Sequence, residues 1–434
     1  MDVPISDYRL QGYYKRKLAQ PQYHYAKKLK AQKYCGVNLI KQPGVMPAVF
    51  VIANNKEAKI WGVHFCDSPW SCPVCSAHRM AFEATRISCA IEALEKWYNE
   101  YAFMLTVSVP HYHNFTCKQS YDILKETWKN FMKQAGAKSA STKYDPIRNF
   151  CLEFNCTHRI RVCEFTWGKY GWHPHYHCLF FVPKNKLQQV KNWQETFSER
   201  WFKLAKKATI KILTRDNYCD NVEAVVNKLY ANSEHMRDPD FYDAKISLDE
   251  KGNVRRSVSS DYICGWGANR ELTGNFRKEA TAKDHFTPHQ LLRKAYELDN
   301  YGKTTDNKEA DKYFTLYVEY ALTTFKTYRT KLSKSLSTII SNWQMTNTYM
   351  NVLKKKLEEQ KRDLGKNRIV VWFKESQWYQ ICLLNLVDKI LDLAMYTNGK
   401  QLIELLLLDY QIDITKNGKY PCLHKLPDYV YDIA

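Results

Sequence analysis

Residues 171–181, Gly-Trp-His-Pro-His-Tyr-His-Cys-Leu-Phe-Phe, set His173, His175 and His177 at alternate positions of an otherwise apolar run. Alternate residues of a β-strand share a face, so His175 and His177 point one way and Tyr176 the other. Two imidazoles so placed can chelate one cation. His173 shares their parity, with Pro174 able to bend the chain beside it, and is a further candidate ligand. A lone histidine is usually structural; a series at period two on an apolar strand is hard to explain as core.

The segment Arg159–Val182 reads as a β-hairpin, with Gly168-Lys169-Tyr170-Gly171 as turn chemistry between strand-like arms. If Lys169 and Tyr170 are the two loop residues, Glu164 falls opposite His175 on the same face, with Cβ atoms roughly 5 Å apart. Unpaired, a carboxylate within Arg161-Val162-Cys163-Glu164-Phe165-Thr166 would be costly to bury. One carboxylate and two imidazoles leave coordination positions open. Such mixed nitrogen and oxygen ligation suits Mg²⁺ or Mn²⁺ bound together with a substrate phosphate, with Zn²⁺ as the alternative.

A second cluster precedes this one. Cys66, Cys72 and Cys75, in the pattern Cys-x5-Cys-Pro-Val-Cys, can combine with Cys35 in a tetrahedral structural zinc site. His64 and His78 are alternative fourth ligands. A thioredoxin-like redox site would want a βαβ pattern, which is not seen here. Ligation would fold the segment and present basic residues such as Arg79 to a polyanion. Most of the other cysteines, including Cys89, Cys163 and Cys382, sit singly among apolar neighbours and read as small core residues.

These groups need elements to position them. A helix is expected from Ala81 to about Tyr98, with Phe82, Ile87, Ala90, Ile91, Leu94 and Trp97 on its apolar side. Residues 102–110 (AFMLTVSVP) have the signature of a buried strand ended by proline. A second helix is expected over Ser120–Gln134, and a third carrying Leu187, Val190, Trp193, Phe197 and Trp201. Residues 233–260 look like a polar insertion, and the chain beyond about 285 reads as mainly helical to near 410. The expected fold class is α+β: an antiparallel sheet flanked by helices, an N-terminal zinc-ribbon-like segment and a mainly helical C-terminal domain. The expected division is a basic, Tyr-rich arm over 1–30, a Cys-rich segment over 31–80, a catalytic domain over 81–290 and the helical remainder over 291–434.

The chain carries 65 Lys and Arg against 45 Asp and Glu, a formal charge of +20, which favours a polyanionic partner. With 45% apolar and 14% aromatic residues it is a folded protein. The most hydrophobic run, Leu402–Leu408, is broken by Glu404 and too short to span a bilayer. No apolar leader follows Met1, so a cytoplasmic location is expected, without a membrane partner.

The WHPHYH run preceded by a Glu-bearing strand resembles the HUH endonucleases, and within them the plasmid rolling-circle replication initiators. The strand Phe103–His111 resembles that family's first motif. Ser260-Asp261-Tyr262-Ile263-Cys264-Gly265-Trp266-Gly267, followed by Glu271-Leu272-Thr273-Gly274 and Thr287-Pro288-His289-Gln290-Leu291-Leu292, looks like the third. The resemblance implies Tyr262 as the nucleophile of a site-specific single-strand DNA endonuclease and strand transferase. The implied products are a 5′-phosphotyrosine link and a free 3′-hydroxyl. Gly265 stands where the family usually has a lysine, whose role would pass to Arg270, Lys278 or another basic residue. Tyr218 and Tyr230 are fallback nucleophiles, and Asp261 is adjacent to the motif tyrosine. The implied partners are single-stranded and origin DNA, a host helicase and a host DNA polymerase. Alternatives are a transposase or relaxase of the same chemistry and, in another class, a non-catalytic zinc-dependent DNA-binding regulator. The resemblance spans roughly 35–340, and residues 341–434 carry no chemistry that can be named.

Overall fold

The computed structural model describes residues 7–29, 32, 34–40, 48–53, 58–66, 68, 70–133, 135, 145–231, 245–247, 285–301, 307–346, 368–383, 386–396 and 402. The sheet that carries the histidines comes first in function. Strand β3 spans Glu100–Ser108, β4 Arg159–Gly168 and β5 Gly171–Pro183, and β3 and β4 flank β5 on either side, both antiparallel to it. Two short strands close the edges: β6, Lys245–Ser247, on β3, and β7, Thr330–Leu332, on β4. Strand β6 falls within the stretch expected to be a polar insertion.

Period-two patterning splits this sheet into two faces with different cover. Phe103, Leu105, Val107, Cys163, Phe165, Tyr176, Cys178 and Phe180 belong to the main hydrophobic cluster. The helices packed there are α3 (Cys117–Phe131), α4 (Pro146–Glu153) and α5 (Gln194–Arg215). Helix α3 begins at a capping box, in which Thr116 and Gln119 each bond the other's backbone N–H, so its start is encoded locally. On the opposite face, Ala102, Ile160, Val162, Leu179 and Phe181 pack against the long helix α2, Pro73–Tyr98, and against α9, Lys334–Thr346. Between α5 and α9 in sequence lie α6 (Val222–Ala231), α7 (Pro288–Leu298) and α8 (Lys308–Thr324).

Two departures from the sequence reading concern long-range packing. Residues 7–29, within the basic, Tyr-rich arm expected over 1–30, pack into the main core. Helix α1, Asp7–Leu18, and the 3₁₀ segment Pro21–Leu29 contribute Tyr13, Tyr14, Leu18 and Tyr23 to the main cluster beside Tyr296, Phe314 and Tyr317 of α7 and α8. Lys17, fully buried, pairs with buried Asp299 at 2.8 Å, and the Tyr13 hydroxyl donates to the same carboxylate at 2.7 Å. A buried ammonium without such a partner would be strongly unfavourable, so the pair fixes where α1 docks. The second departure is a strand in the supposedly helical remainder. Strand β8, Arg368–Lys374, pairs antiparallel with β1, Ala48–Ala53, which also pairs with β2, Ala58–Trp61. This three-stranded sheet has its own core with α10 (Glu375–Leu383) and α11 (Val387–Tyr396), built on Val49, Val51, Val371, Phe373, Trp378 and Ile390. Among the described residues no helix is long and apolar enough to cross a membrane.

Candidate metal centres

The β4–β5 hairpin turns through Lys169 and Tyr170, with Gly168 opposite Gly171. Gly171 has φ +89°, and a Cβ there would lie 3.0 Å from both the Tyr112 carbonyl oxygen and the His113 Cα. Glycine is therefore required, and it locks the register. That register places Glu164 directly across from His175 and Val162 across from His177.

Glu164, His175 and His177 converge: their donor atoms all lie within 4.8 Å of one another. One Glu164 carboxylate oxygen is 3.4 Å from His175 Nε2 and 3.3 Å from His177 Nε2. Those separations are long for charge-assisted hydrogen bonds. They match donors arranged around a shared cation: at bond lengths near 2.1 Å, neighbouring donors stand about 3.0 Å apart at a right angle and about 3.4 Å apart at the tetrahedral angle. The trio continues the face that α2 and α9 cover at its other end, and Glu164 and His177 are buried while His175 is half-buried. The donor set fits a divalent cation.

Outer contacts orient the ligands. Strand β3 sets Thr106 opposite His177, and the Thr106 hydroxyl lies 2.9 Å from His177 Nδ1. With Nδ1 protonated and donating to that oxygen, the Nε2 lone pair is directed at the centre. His175 Nδ1 is 3.4 Å from the His173 carbonyl oxygen, which holds the same tautomer there. Sequence reasoning missed Thr106. The available signal was Thr106 and Ser108, two hydroxyls at period two in an apolar strand.

His173 is not brought into the trio. Its ring stacks on His111 at 4.6 Å between centroids, and its Nε2 is buried without a hydrogen-bond partner. Burial, reinforced by His111, His175 and His285, pushes its pKa well below the usual imidazole value and keeps it neutral. His285 belongs to the chain that returns from the segment 248–284. Its neighbour Phe286 forms a two-bond bridge with Trp167 of β4, both N–H···O distances 2.8 Å. The motif that follows has a structural reading: Thr287 caps α7 reciprocally with Gln290, and Pro288 takes the first turn.

Tyr262, the nucleophile implied by the resemblance, lies outside the described residues, as do Asp261, Gly265, Arg270 and Lys278. Of the fallback tyrosines, Tyr230 is a core residue that shares a 2.9 Å hydrogen bond with Thr209. Tyr218 is half-buried with its ring 5.6 Å from Phe115, and burial raises its pKa.

The second centre assembles all four expected cysteines. Cys35 Sγ is 3.4 Å from Cys72 Sγ and from Cys75 Sγ, and Cys66 Sγ is 3.6 Å from Cys75 Sγ. A disulfide would bring sulfurs to about 2 Å. Four thiolates at 2.3 Å from one zinc ion stand about 3.8 Å apart, close to what is seen. His64 is exposed and outside this group, and the His78 side chain is not among those described. The Lys15 ammonium, from α1, donates to the Cys35 carbonyl at 2.5 Å, and the Cys72 thiol donates to Gln11 at 3.3 Å, so the N-terminal helix braces the cluster.

No curated protein and no solved structure matches this chain. One protein-family model, described as Replication protein, matches residues 57–223. That span takes in three of the four clustered cysteines, the whole of β3–β5 and all of the Glu164, His175 and His177 donors. Over that span the chain is similar to the replication-protein family, that of the rolling-circle plasmid initiators.

Proposed function

We propose that this protein initiates rolling-circle replication by nicking one strand of its origin DNA, with Tyr262 as nucleophile and Glu164, His175 and His177 holding Mg²⁺ or Mn²⁺. The observation that carries the reading is the cross-strand pairing of Glu164 with His175, with His177 two residues on, which brings three donors within 4.8 Å. A bound cation would supply Lewis-acid polarisation of the scissile phosphate. The chain's own residues do the rest. Thr106 and the His173 carbonyl fix the imidazole tautomers, and Glu164 supplies the negative charge that draws a cation in. The Tyr262 phenol oxygen attacks phosphorus, the bond to the 3′-oxygen breaks, and the phenolic proton passes to solvent or to the leaving oxygen. The products are a 5′-phosphotyrosine link and a 3′-hydroxyl that a host polymerase extends after a host helicase opens the duplex. The Cys35, Cys66, Cys72 and Cys75 group takes a structural zinc ion. Such a protein works where its plasmid is, in the cytoplasm.

Support for Tyr262 comes from the ends of its segment. Strand β6 runs from Lys245 opposite Thr106 to Ser247 opposite Met104 of β3, and Phe286 bridges to Trp167 of β4, so the chain leaves and re-enters on strands that build the centre. The test is a nicking assay. Supercoiled DNA carrying the cognate origin is incubated with Mn²⁺ and either the wild-type protein or Tyr262→Phe. A covalent protein–DNA adduct in the wild type alone supports the proposal. Adduct persisting in the variant moves the nucleophile elsewhere, and absence of adduct with any origin DNA leaves a non-catalytic zinc-dependent DNA-binding regulator as the better reading.

A further inference from the structure

The nicking chemistry makes no use of the cysteine centre, and the structure points to what that centre holds in place. Cys72 is the N-cap of α2: its sulfur accepts the Cys75 N–H, and Pro73 opens the first turn. Fixing Cys72 and Cys75 therefore fixes the start of a 26-residue helix. Beyond that start, Arg79, Phe82 and Arg86 follow at spacings of three and four, one face of the helix. Phe82 is 54% exposed, although the hydrophobic pattern put it on the buried side. The Arg79 and Arg86 guanidiniums lie over its ring, 5.5 and 5.8 Å from the centroid.

A single exposed phenylalanine is unremarkable. An exposed ring beside two guanidiniums on a rigid helix offers a base a π-face once the guanidiniums swing from the ring to act as fork donors to the phosphates on either side. Glu83, the acidic neighbour of Phe82, accepts the hydrogen bond of the Thr330 hydroxyl in β7. That contact brings β7 against α2, and Tyr328, two residues before Thr330, is 75% exposed. The formal charge of +20 favours a polyanion at such a surface.

We propose that this face of α2 docks single-stranded DNA, one base stacking on Phe82 and the flanking phosphates engaging Arg79 and Arg86, with the cysteine centre holding the helix in place. A duplex keeps its base faces covered, so the surface selects the unpaired strand. The inference rests on the reading of the chain as a DNA-nicking initiator and deepens it.

The experiment measures binding of a labelled oligodeoxythymidine by fluorescence anisotropy at several salt concentrations, using full-length zinc-loaded protein. Phe82→Ala is expected to weaken binding about fivefold to about 150-fold, the ~1–3 kcal/mol of one stacked base, and Phe82→Trp to preserve it. Arg79→Ala and Arg86→Ala should each flatten the log–log salt dependence by about 0.7. Zinc content and thermal midpoint report that the variants remain folded. Unchanged affinity in Phe82→Ala, or an equal loss on a blunt duplex, overturns the docking proposal. Covalent adduct formation on a nick-site oligonucleotide with Mn²⁺ is followed in parallel. Wild-type adduct with an indifferent Phe82→Ala sinks the docking surface and leaves the nicking reading intact, whereas absence of adduct sinks the nicking reading itself.

Discussion

Thr106 gives the sharpest test of the metal centre because it touches the ligand and not the cation. Its hydroxyl is 2.9 Å from His177 Nδ1 on a side chain that is 11% exposed. Thr106→Val keeps the β-branch and the strand preference while removing the oxygen. The buried N–H then has no acceptor, which costs about 1–3 kcal/mol. The imidazole can escape that cost by moving its proton to Nε2, but this removes the lone pair the cation needs. Loss of such an outer hydrogen bond typically lowers metal affinity ~10–100-fold, or about 1.4–2.7 kcal/mol, and the two estimates coincide. The assay is Mn²⁺ titration of the zinc-loaded protein, followed by the electron paramagnetic resonance signal of free Mn²⁺ and by the Mn²⁺ dependence of nicking. The half-saturating concentration should rise by that factor while the rate at saturation changes little. Glu164→Gln, which removes the only carboxylate of the trio, should abolish binding in the same experiment. Unchanged Mn²⁺ affinity in a folded Thr106→Val protein would refute the geometry, as would a nicking defect that no Mn²⁺ concentration restores.

Three further outcomes follow from other parts of the structure. Gly171→Ala places a Cβ 3.0 Å from the Tyr112 oxygen and the His113 Cα at φ +89°. It should cost about 1–3 kcal/mol, read as a lower denaturant midpoint, with weaker Mn²⁺ binding because the turn sets the register. Cys72→Ala should lose both zinc and the helix cap, lowering zinc content from about one ion per chain and exposing α2 to faster amide exchange; retained zinc would count against the four-sulfur centre. His289 is buried, and burial followed by the charges of Arg329 and Arg293 lowers its pKa to about 3. The unfolded chain takes up a proton near pH 6.5 that the folded chain refuses until about pH 3, so this contribution is complete above pH 6.5. It is lost as pH falls through that window by roughly 1.4 kcal/mol per unit, and His289→Asn should flatten the slope of denaturation midpoint against pH between 7 and 5.

What the sequence disclosed and what it hid divide along one physical line. The hairpin was legible because its information is local: two glycines, a two-residue turn and period-two alternation determine which side chain faces which, and the Glu164–His175 pair followed. The cysteine centre was legible because ligand type and spacing carry the geometry. Periodicity, by contrast, names the faces of an element and not what covers them. Phe82 and Trp97 share the apolar side of α2 with Ile87 and Leu94, yet the latter are buried against the sheet and the former are not. Strand β8 was hidden because its value to the fold depends on β1, more than three hundred residues earlier in the chain. Residues 7–29 were hidden for a like reason, since a run rich in Lys and Tyr does not disclose its docking site until Asp299 is known to meet Lys17. The uncovered ring on α2 is therefore the more informative of the two kinds of failure. A misjudged pairing only relocates a strand, whereas an apolar ring that stays half exposed beside two cations marks a surface suited to a partner.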